Sequence, residues 1–279
     1  MWLQRTTSLL LCCSWLSAAF ETAALADESL DELNLKSSNP VADLVSVPFQ
    51  NNFNFNYGPG SGNDQGELRY NLNFQPVVPI SLNDHLNLIT RTIVPVIATP
   101  YPSDTTGMGD INFSAFFSPK KESGLTWGLG PIFQFNTATN DSLGSGKWAI
   151  GPTAVFLYQE GKIQAGALIY QLWSYAGDSA RQSLSTFQFQ PFMSYVIGHG
   201  FSLTASSQSI ATWHAANGQK WTVPLGGGFN QVLVIKKTPI NFGVQYFTNV
   251  THPDIGPTSQ LRVTISFLYP SSPTPSSSE

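Results

Sequence analysis

Acid–base or metal chemistry in this 279-residue chain would have to start from its four histidines, His85, His199, His214 and His252. An imidazole holds a metal or moves a proton well only beside a second ligand or an orienting carboxylate. None of the four has such a partner at a spacing like HExxH, and all four fall in stretches rich in turn residues. GSGKW at 144–148 resembles a phosphate loop, but the leading glycine is missing and Trp148 stands where a hydroxyl would meet magnesium. No GxSxG elbow occurs. The only cysteines, Cys12 and Cys13, lie in the leader described below. These residues predict no catalytic set, no metal site and no cofactor, and hence a chain that is not an enzyme.

The elements that position side chains here follow another pattern. In QNNFNFNYGPGSGNDQGELRYNLNF, residues 50–74, two runs alternate large apolar with polar residues across a glycine-rich loop. From Val45 the odd positions Val45, Val47, Phe49, Phe53, Phe55 and Tyr57 are apolar, with Asn51 the exception; after the loop Leu68, Tyr70, Leu72 and Phe74 carry the apolar parity. Period-two alternation means extended strands with one oily and one wet face. Charged residues make up only 11% of the chain, against about 25% in an average soluble domain, and aromatics reach 13%. Low charge without a long apolar run suits a surface that faces something other than water.

Residues 1–26 read as a secretory signal peptide: Arg5, an apolar core SLLLCCSWLSAAF, and a small-x-small site ending at Ala26 before Asp27. Residues 27–44 read as a polar periplasmic lead-in with one helical turn, residues 45–269 as a barrel, and residues 270–279 as a disordered Pro/Ser tail. From Val45 twelve alternating segments are countable: 45–57, 67–79, 86–97, 109–118, 125–136, 148–158, 162–173, 184–196, 201–209, 219–232, 239–248 and 260–269.

Connections after odd-numbered segments are long and turn-rich, as in ATPYPSDTTGM or NTATNDSLGSGK, whereas those after even-numbered ones are short, as in QEG and IGHG. Sorting by parity is the habit of a transmembrane barrel with short turns at one end and longer loops at the other. Ten residues at about 3.3 Å each, tilted by about 40°, rise roughly 25 Å, the height of the apolar band on such barrels. A sheet in hydrocarbon must also close on itself, and an even number of strands lets it. Aromatics on the apolar parity gather near segment ends: Tyr57, Tyr70, Phe135, Trp148, Trp173 and Trp221 beside long loops, and Phe117, Trp127, Tyr158, Tyr195 and Tyr269 beside short turns, as interfacial girdles do. Pro131, Pro152, Pro191 and Pro224 fall inside strands, where proline deletes a ladder donor; bulges are expected there. The predicted fold is all-β, a transmembrane antiparallel up-and-down barrel of about twelve strands in the outer membrane of a Gram-negative bacterium. Its expected partners are outer-membrane lipid, a small-molecule solute and the outer-membrane assembly machinery, which would engage the C-terminal strand LRVTISFLY; no nucleic-acid partner is expected.

The same parity sorts the lumen. A charge facing lipid costs about 2–4 kcal/mol at the midplane, which places Arg69, Arg91 and Arg262 inside, with Asn71 beside them and Glu67 and Asp110 near the loop mouth. Inward positions on the opposite wall include Ile132, Val155, Leu157, Leu168, Tyr170, Leu172, Gln188, Gln190 and Phe192. Of these, Arg69, Arg91, Arg262, Asn71, Gln188, Gln190, Tyr170 and Phe192 form the predicted solute path, a polar, basic wall facing a mixed apolar one. Barrel phospholipases resemble the predicted architecture, but they pair a histidine with a serine two residues away on one strand; no histidine here has that neighbour.

LGSGKWAIGP (143–152), QLWSYAGD (171–178), ATWHAANGQKWTVPLGGG (211–228) and LRVTISFLYP (261–270) resemble outer-membrane transporters grouped under the "meta-pathway of phenol degradation" name. The resemblance implies an outer-membrane barrel that moves small hydrophobic or aromatic compounds, and brings no functional residues with it. The leading expectation is therefore a channel or transporter for passive passage of such molecules. The alternative is a non-transporting structural or surface-binding barrel acting through its loops.

Overall fold

The computed structural model describes residues 30–60, 66–120 and 124–270; the predicted signal peptide, its Ala26–Asp27 junction and the tail beyond residue 270 lie outside them. A nine-residue helix, α1 (Leu30–Ser38), opens the described residues. Asp31 and Glu32 in its first turn and Lys36 in its last complement the helix dipole.

Twelve crossings follow. The first is β1 (Leu44–Tyr57); the second is broken into β2 (Glu67–Phe74) and β3 (Val77–Ser81); the third is β4 (Leu86–Thr99). The fourth is broken into β5 (Thr105–Met108) and β6 (Ile111–Pro119), and β7 (Gly124–Phe135), β8 (Lys147–Glu160), β9 (Ile163–Gly177) and β10 (Ser185–Gly198) continue the meander. The ninth is broken into β11 (Phe201–Ser206) and β12 (Ser209–Thr212), and β13 (Trp221–Ile235), β14 (Thr238–Thr251) and β15 (Ser259–Pro270) complete the set. Each crossing pairs antiparallel with the next, and β15 pairs with β1 from Leu44↔Pro270 to Phe55↔Ser259, closing the sheet. All twelve predicted segments are present.

The outer face is apolar. Leu68, Leu125, Phe156, Leu203 and Leu225 are exposed, and Trp148, Trp173, Phe117, Trp127, Tyr158, Tyr195 and Tyr269 are exposed near the strand ends. Trp173 is 52% accessible while its neighbour Leu172, facing inward, is 2% accessible. A continuous apolar exterior of this extent is stable only against hydrocarbon. Asn51, polar on the outer parity, is sealed there: Tyr70 Oη donates to its Oδ1 at 2.6 Å, and its Nδ2 donates to the Val263 carbonyl at 3.2 Å.

Tyr57 departs from the predicted girdle. The register between β1 and β2 shifts between Asn54↔Arg69 and Tyr57↔Glu67, with Asn56 at φ 55° as the extra residue. The bulge turns Tyr57 to the inner side, where the Arg69 guanidinium lies 4.9 Å from its ring centroid.

The in-strand prolines now have an explanation. Pro131 and Pro152 face each other across β7–β8. Pro131 lies where β6–β7 pairing lapses between Ser114↔Ile132 and Phe117↔Leu129, and Pro152 where β8–β9 pairing lapses between Ile150↔Trp173 and Thr153↔Tyr170. Each follows a glycine whose backbone is crowded: a Cβ on Gly130 would sit 1.7 Å from the Ala115 carbonyl oxygen, and one on Gly151 1.6 Å from that of Gln171. Pro191 faces the break between β11 and β12, and Pro224 sits at a register shift against β14. Bulging accounts for Pro224 alone; the others stand at gaps in the ladder, where no donor is required.

Candidate functional site

The lumen has two unlike walls. On one, β1, β2, β14 and β15 turn amides and hydroxyls inward around Arg262, which is 5% accessible. Its Nε donates to Asn52 Oδ1 at 3.2 Å, its Nη1 to the Ser206 carbonyl at 2.8 Å and to Gln245 Oε1 at 3.5 Å, and its Nη2 to Gln260 Oε1 at 3.1 Å. The Phe247 ring lies beneath it, 4.8 Å from Cζ to centroid. All four acceptors are neutral, so the donors are satisfied while the charge is not. Arg91, on β4, donates to Gln75 Oε1 at 2.7 Å. Among the described residues no carboxylate oxygen lies within 4 Å of a nitrogen of Arg69, Arg91 or Arg262.

The other wall is apolar. Ile89, Phe116, Val155 and Leu168 are all at most 2% accessible and pack with Val41, while Ile132, Ala149 and Leu172 form a second cluster. Between the walls runs a polar seam: Tyr170 Oη donates to Gln188 Oε1 at 3.0 Å, and Gln190 Nε2 donates to Ser206 Oγ at 2.9 Å. The predicted path residues thus fall into three groups. Arg262, Gln190 and Phe192 line one cavity, and Arg91 lines its neighbour. Tyr170 and Gln188 join the seam. Arg69 and Asn71 stand apart, Arg69 stacked on Tyr57 two residues from the loop end of β2.

Residues 30–43 occupy the turn end of the lumen, a placement the polar composition of this lead-in did not signal. Asp31 Oδ1 accepts from the Gly200 amide at 2.7 Å, and Asn34 Nδ2 donates to the Gly200 carbonyl at 2.6 Å. Ser202 Oγ donates to Asn34 Oδ1 at 2.8 Å, and Asn241 Nδ2 to Ser37 Oγ at 2.9 Å. Gly200 is at φ +73°, and a Cβ there would meet the Val232 carbonyl oxygen at 2.7 Å, so only glycine allows this docking. The helix bonds Gly200, Ser202 of β11 and Asn241 of β14 through polar groups and packs Leu33 with Val232 of β13; the chain then crosses the lumen and sets Val41 into the apolar wall. Beside this plug lie two adjoining cavities of about 170 and 130 Å³, which meet at Ser38, Pro40, Pro48 and Gln190.

Asp110, predicted at the loop mouth, organises the connection between β7 and β8. It accepts from the amides of Thr137, Ala138 and Ser145, from Ser145 Oγ and from Gln134 Nε2. Those contacts, from residues up to 35 positions away, carry no local sequence signal.

The sequence matches no family model and no curated protein. Solved structures share the fold. The chain is similar to an outer membrane channel from Pseudomonas putida F1 at 15% identity and a TM-score of 0.61, over 81% of this chain and 95% of that one. It is similar to the NanC porin at 11% identity and a TM-score of 0.50, over 81% and 98% of the two chains. With its apolar exterior, the closed sheet is an outer-membrane β-barrel. Outer membrane phospholipase A from Escherichia coli also matches, at 11% identity and a TM-score of 0.45 over 88% and 99% of the two chains. That match corrects the expectation that the chain is not an enzyme: enzymes occur on barrels of this kind, so the architecture excludes no catalysis.

Proposed function

We propose that the chain is an outer-membrane channel for passive passage of small amphipathic solutes, aromatic compounds among them, closed at rest by residues 30–43. The observation that carries this reading is a lumen whose cavities, lined largely by polar side chains, lie against a segment docked by a handful of hydrogen bonds and two small apolar clusters. The channel identity of the Pseudomonas putida protein supports it, as does the sequence resemblance to transporters of the phenol-degradation group. On this reading residues 1–26 direct export and are removed after Ala26, the barrel domain runs from 45 to 269, and the assembly machinery engages β15. Downhill diffusion asks of the chain only a path and a gate.

The gate is built from a handful of hydrogen bonds, each worth about 1 kcal/mol net, plus the burial of Val41, Leu33 and Leu35. Val41→Asp would put a carboxylate among Ile89, Phe116, Val155 and Leu168, at a cost of several kcal/mol, comparable to the whole docking energy. In planar bilayers the unaltered barrel is expected to show rare, brief openings. Val41→Asp should raise the open fraction by roughly 100-fold, the effect of about 2.7 kcal/mol on a two-state gate. If both proteins insert yet neither conducts, the channel reading fails.

A further inference from the structure

We infer that the lumen contains a binding site for a small organic anion, whose carboxylate is held between Arg91 and Arg262. The site deepens the channel reading by naming the class of solute and rests on that reading for its role, though binding is measurable without transport.

Three observations converge on this site. The two cavities beside the plug adjoin, one lined by Arg262 and the other by Arg91, and both reach Ser38, Pro40, Pro48 and Gln190. Around them, Ser38 Oγ, Gln75 Nε2 and Ser194 Oγ are buried without a hydrogen-bond partner, although buried polar groups are normally paired. Both cavities are free of carboxylates along their described walls, in a chain whose net charge is −4. Two acids that could have approached are used elsewhere, Asp31 on the Gly200 amide and Asp110 on its loop.

A buried cation without an opposite charge, such as Arg262, is costly, and a second, half-buried one in the adjoining cavity adds to the cost. Wall carboxylates would remove the cost permanently; their absence leaves it to be removed by whatever enters. A carboxylate is the matching shape, since a guanidinium presents donors in a planar fork. Arg91 is the better placed of the two. It makes one hydrogen bond, to Gln75 Oε1, and the unpartnered Gln75 Nε2 belongs to the same side chain, so one anion can take donors from both residues. Arg262, bonded to four neutral acceptors, supplies charge more than contact. The bound molecule must also be small: the cavities hold a body of modest size, and Phe192, Pro40 and Pro48 offer it apolar surface.

The test uses the folded, detergent-purified barrel, with heat-modifiable gel mobility as the check on folding. Calorimetric titration compares benzoate with benzamide, its neutral near-isostere, and with inorganic phosphate. Benzoate should bind about tenfold or more tightly than benzamide, the scale of a charge-assisted contact worth about 1.4 kcal/mol. Arg91→Gln should abolish that preference, and Arg91→Lys should keep part of it. Equal binding of benzoate and benzamide, or a preference that survives Arg91→Gln, overturns the site; phosphate binding as well as benzoate overturns its assignment to organic anions. Reversal potentials in a potassium chloride gradient separate the two claims. A barrel that binds benzoate but never conducts refutes the channel and leaves the site standing, whereas one that conducts without preferring anions in either assay refutes the site alone.

Discussion

The two lumen walls obey opposite rules of satisfaction. On the polar wall Arg262 is surrounded by Asn52, Gln245, Gln260 and the Ser206 carbonyl, each satisfying one donor. On the apolar wall Ile89, Phe116, Val155 and Leu168 have no polar work to do and are covered by Val41. The plug meets both walls: Asn34 and Ser37 bond β11 and β14, Leu33 and Ala42 pack with Val232 and Leu268, and Val41 enters the apolar wall. Apolar inward residues in a barrel therefore need not signify an apolar guest. Here part of that wall is the seat of the chain's own N-terminal segment, and the space left for a solute lies toward the arginines.

Breaking the apolar wall should have the largest effect. Val155 is fully buried against Ile89, Phe116, Leu168 and Val41, so Val155→Asn removes apolar contact and leaves an amide unpaired, a loss of about 3 kcal/mol or more. The expected outcome is a clear drop in the temperature at which the heat-modifiable form is lost, together with an open fraction raised as in Val41→Asp. A stable barrel with a closed gate would mean that the apolar cluster does not seat the plug.

Breaking the polar wall should cost less. Arg262→Met strips the partners from Asn52, Gln245 and Gln260, and hydrogen bonds to a charged group are worth about 1.5–3 kcal/mol each. Two terms offset that loss: the methionine still packs on Phe247, and the repulsion between Arg262 and Arg91 disappears. A net destabilisation of about 1–2 kcal/mol is expected, read as a modest fall in the same transition temperature. The offset has its own signature. The double variant with Arg91→Gln should lose more than the two single losses added, because each single variant already relieves the repulsion and it can be relieved only once.

Both walls were legible from parity, because a period of two leaves each residue one of two faces. Positions such as Val155, Leu168, Gln188 and Arg262 therefore fell on the lumen side without any knowledge of the fold. Parity failed where the backbone broke the period. One extra residue at Asn56 moved Tyr57 from lipid to lumen, and nothing in FNFNYG marks a bulge. The prolines were visible as anomalies, but their reason is a lapse in pairing with a neighbouring strand, a relation between segments that no single segment encodes. The plug was harder still. DELNLKSSNP has too few apolar residues for a helical stripe, and its docking rests on Gly200, 166 residues from Asn34. Asp110 lies at the loop mouth as its position implies, yet three of its partners are backbone amides, which carry no residue signature, and Gln134 and the Ser145 hydroxyl lie too far along the chain to mark it.

The smallest effect is expected on the outside, and it sharpens the contrast between a satisfied polar group and a needed one. Asn51 faces lipid but is paired with both Tyr70 Oη and the Val263 carbonyl. Asn51→Val deletes the amide and adds a β-branched side chain that suits a strand against hydrocarbon. It also strands the Tyr70 hydroxyl, which can turn toward the headgroup region near the loop end of β2. Gain and loss are each about 1 kcal/mol, so the transition temperature should stay within a few degrees of the unaltered protein. A loss as large as that of Arg262→Met would show that the Asn51–Tyr70 pair closes the seam between β1 and β2 rather than merely sealing a polar residue, and the division between lumen and exterior would then be less strict than their accessibilities imply.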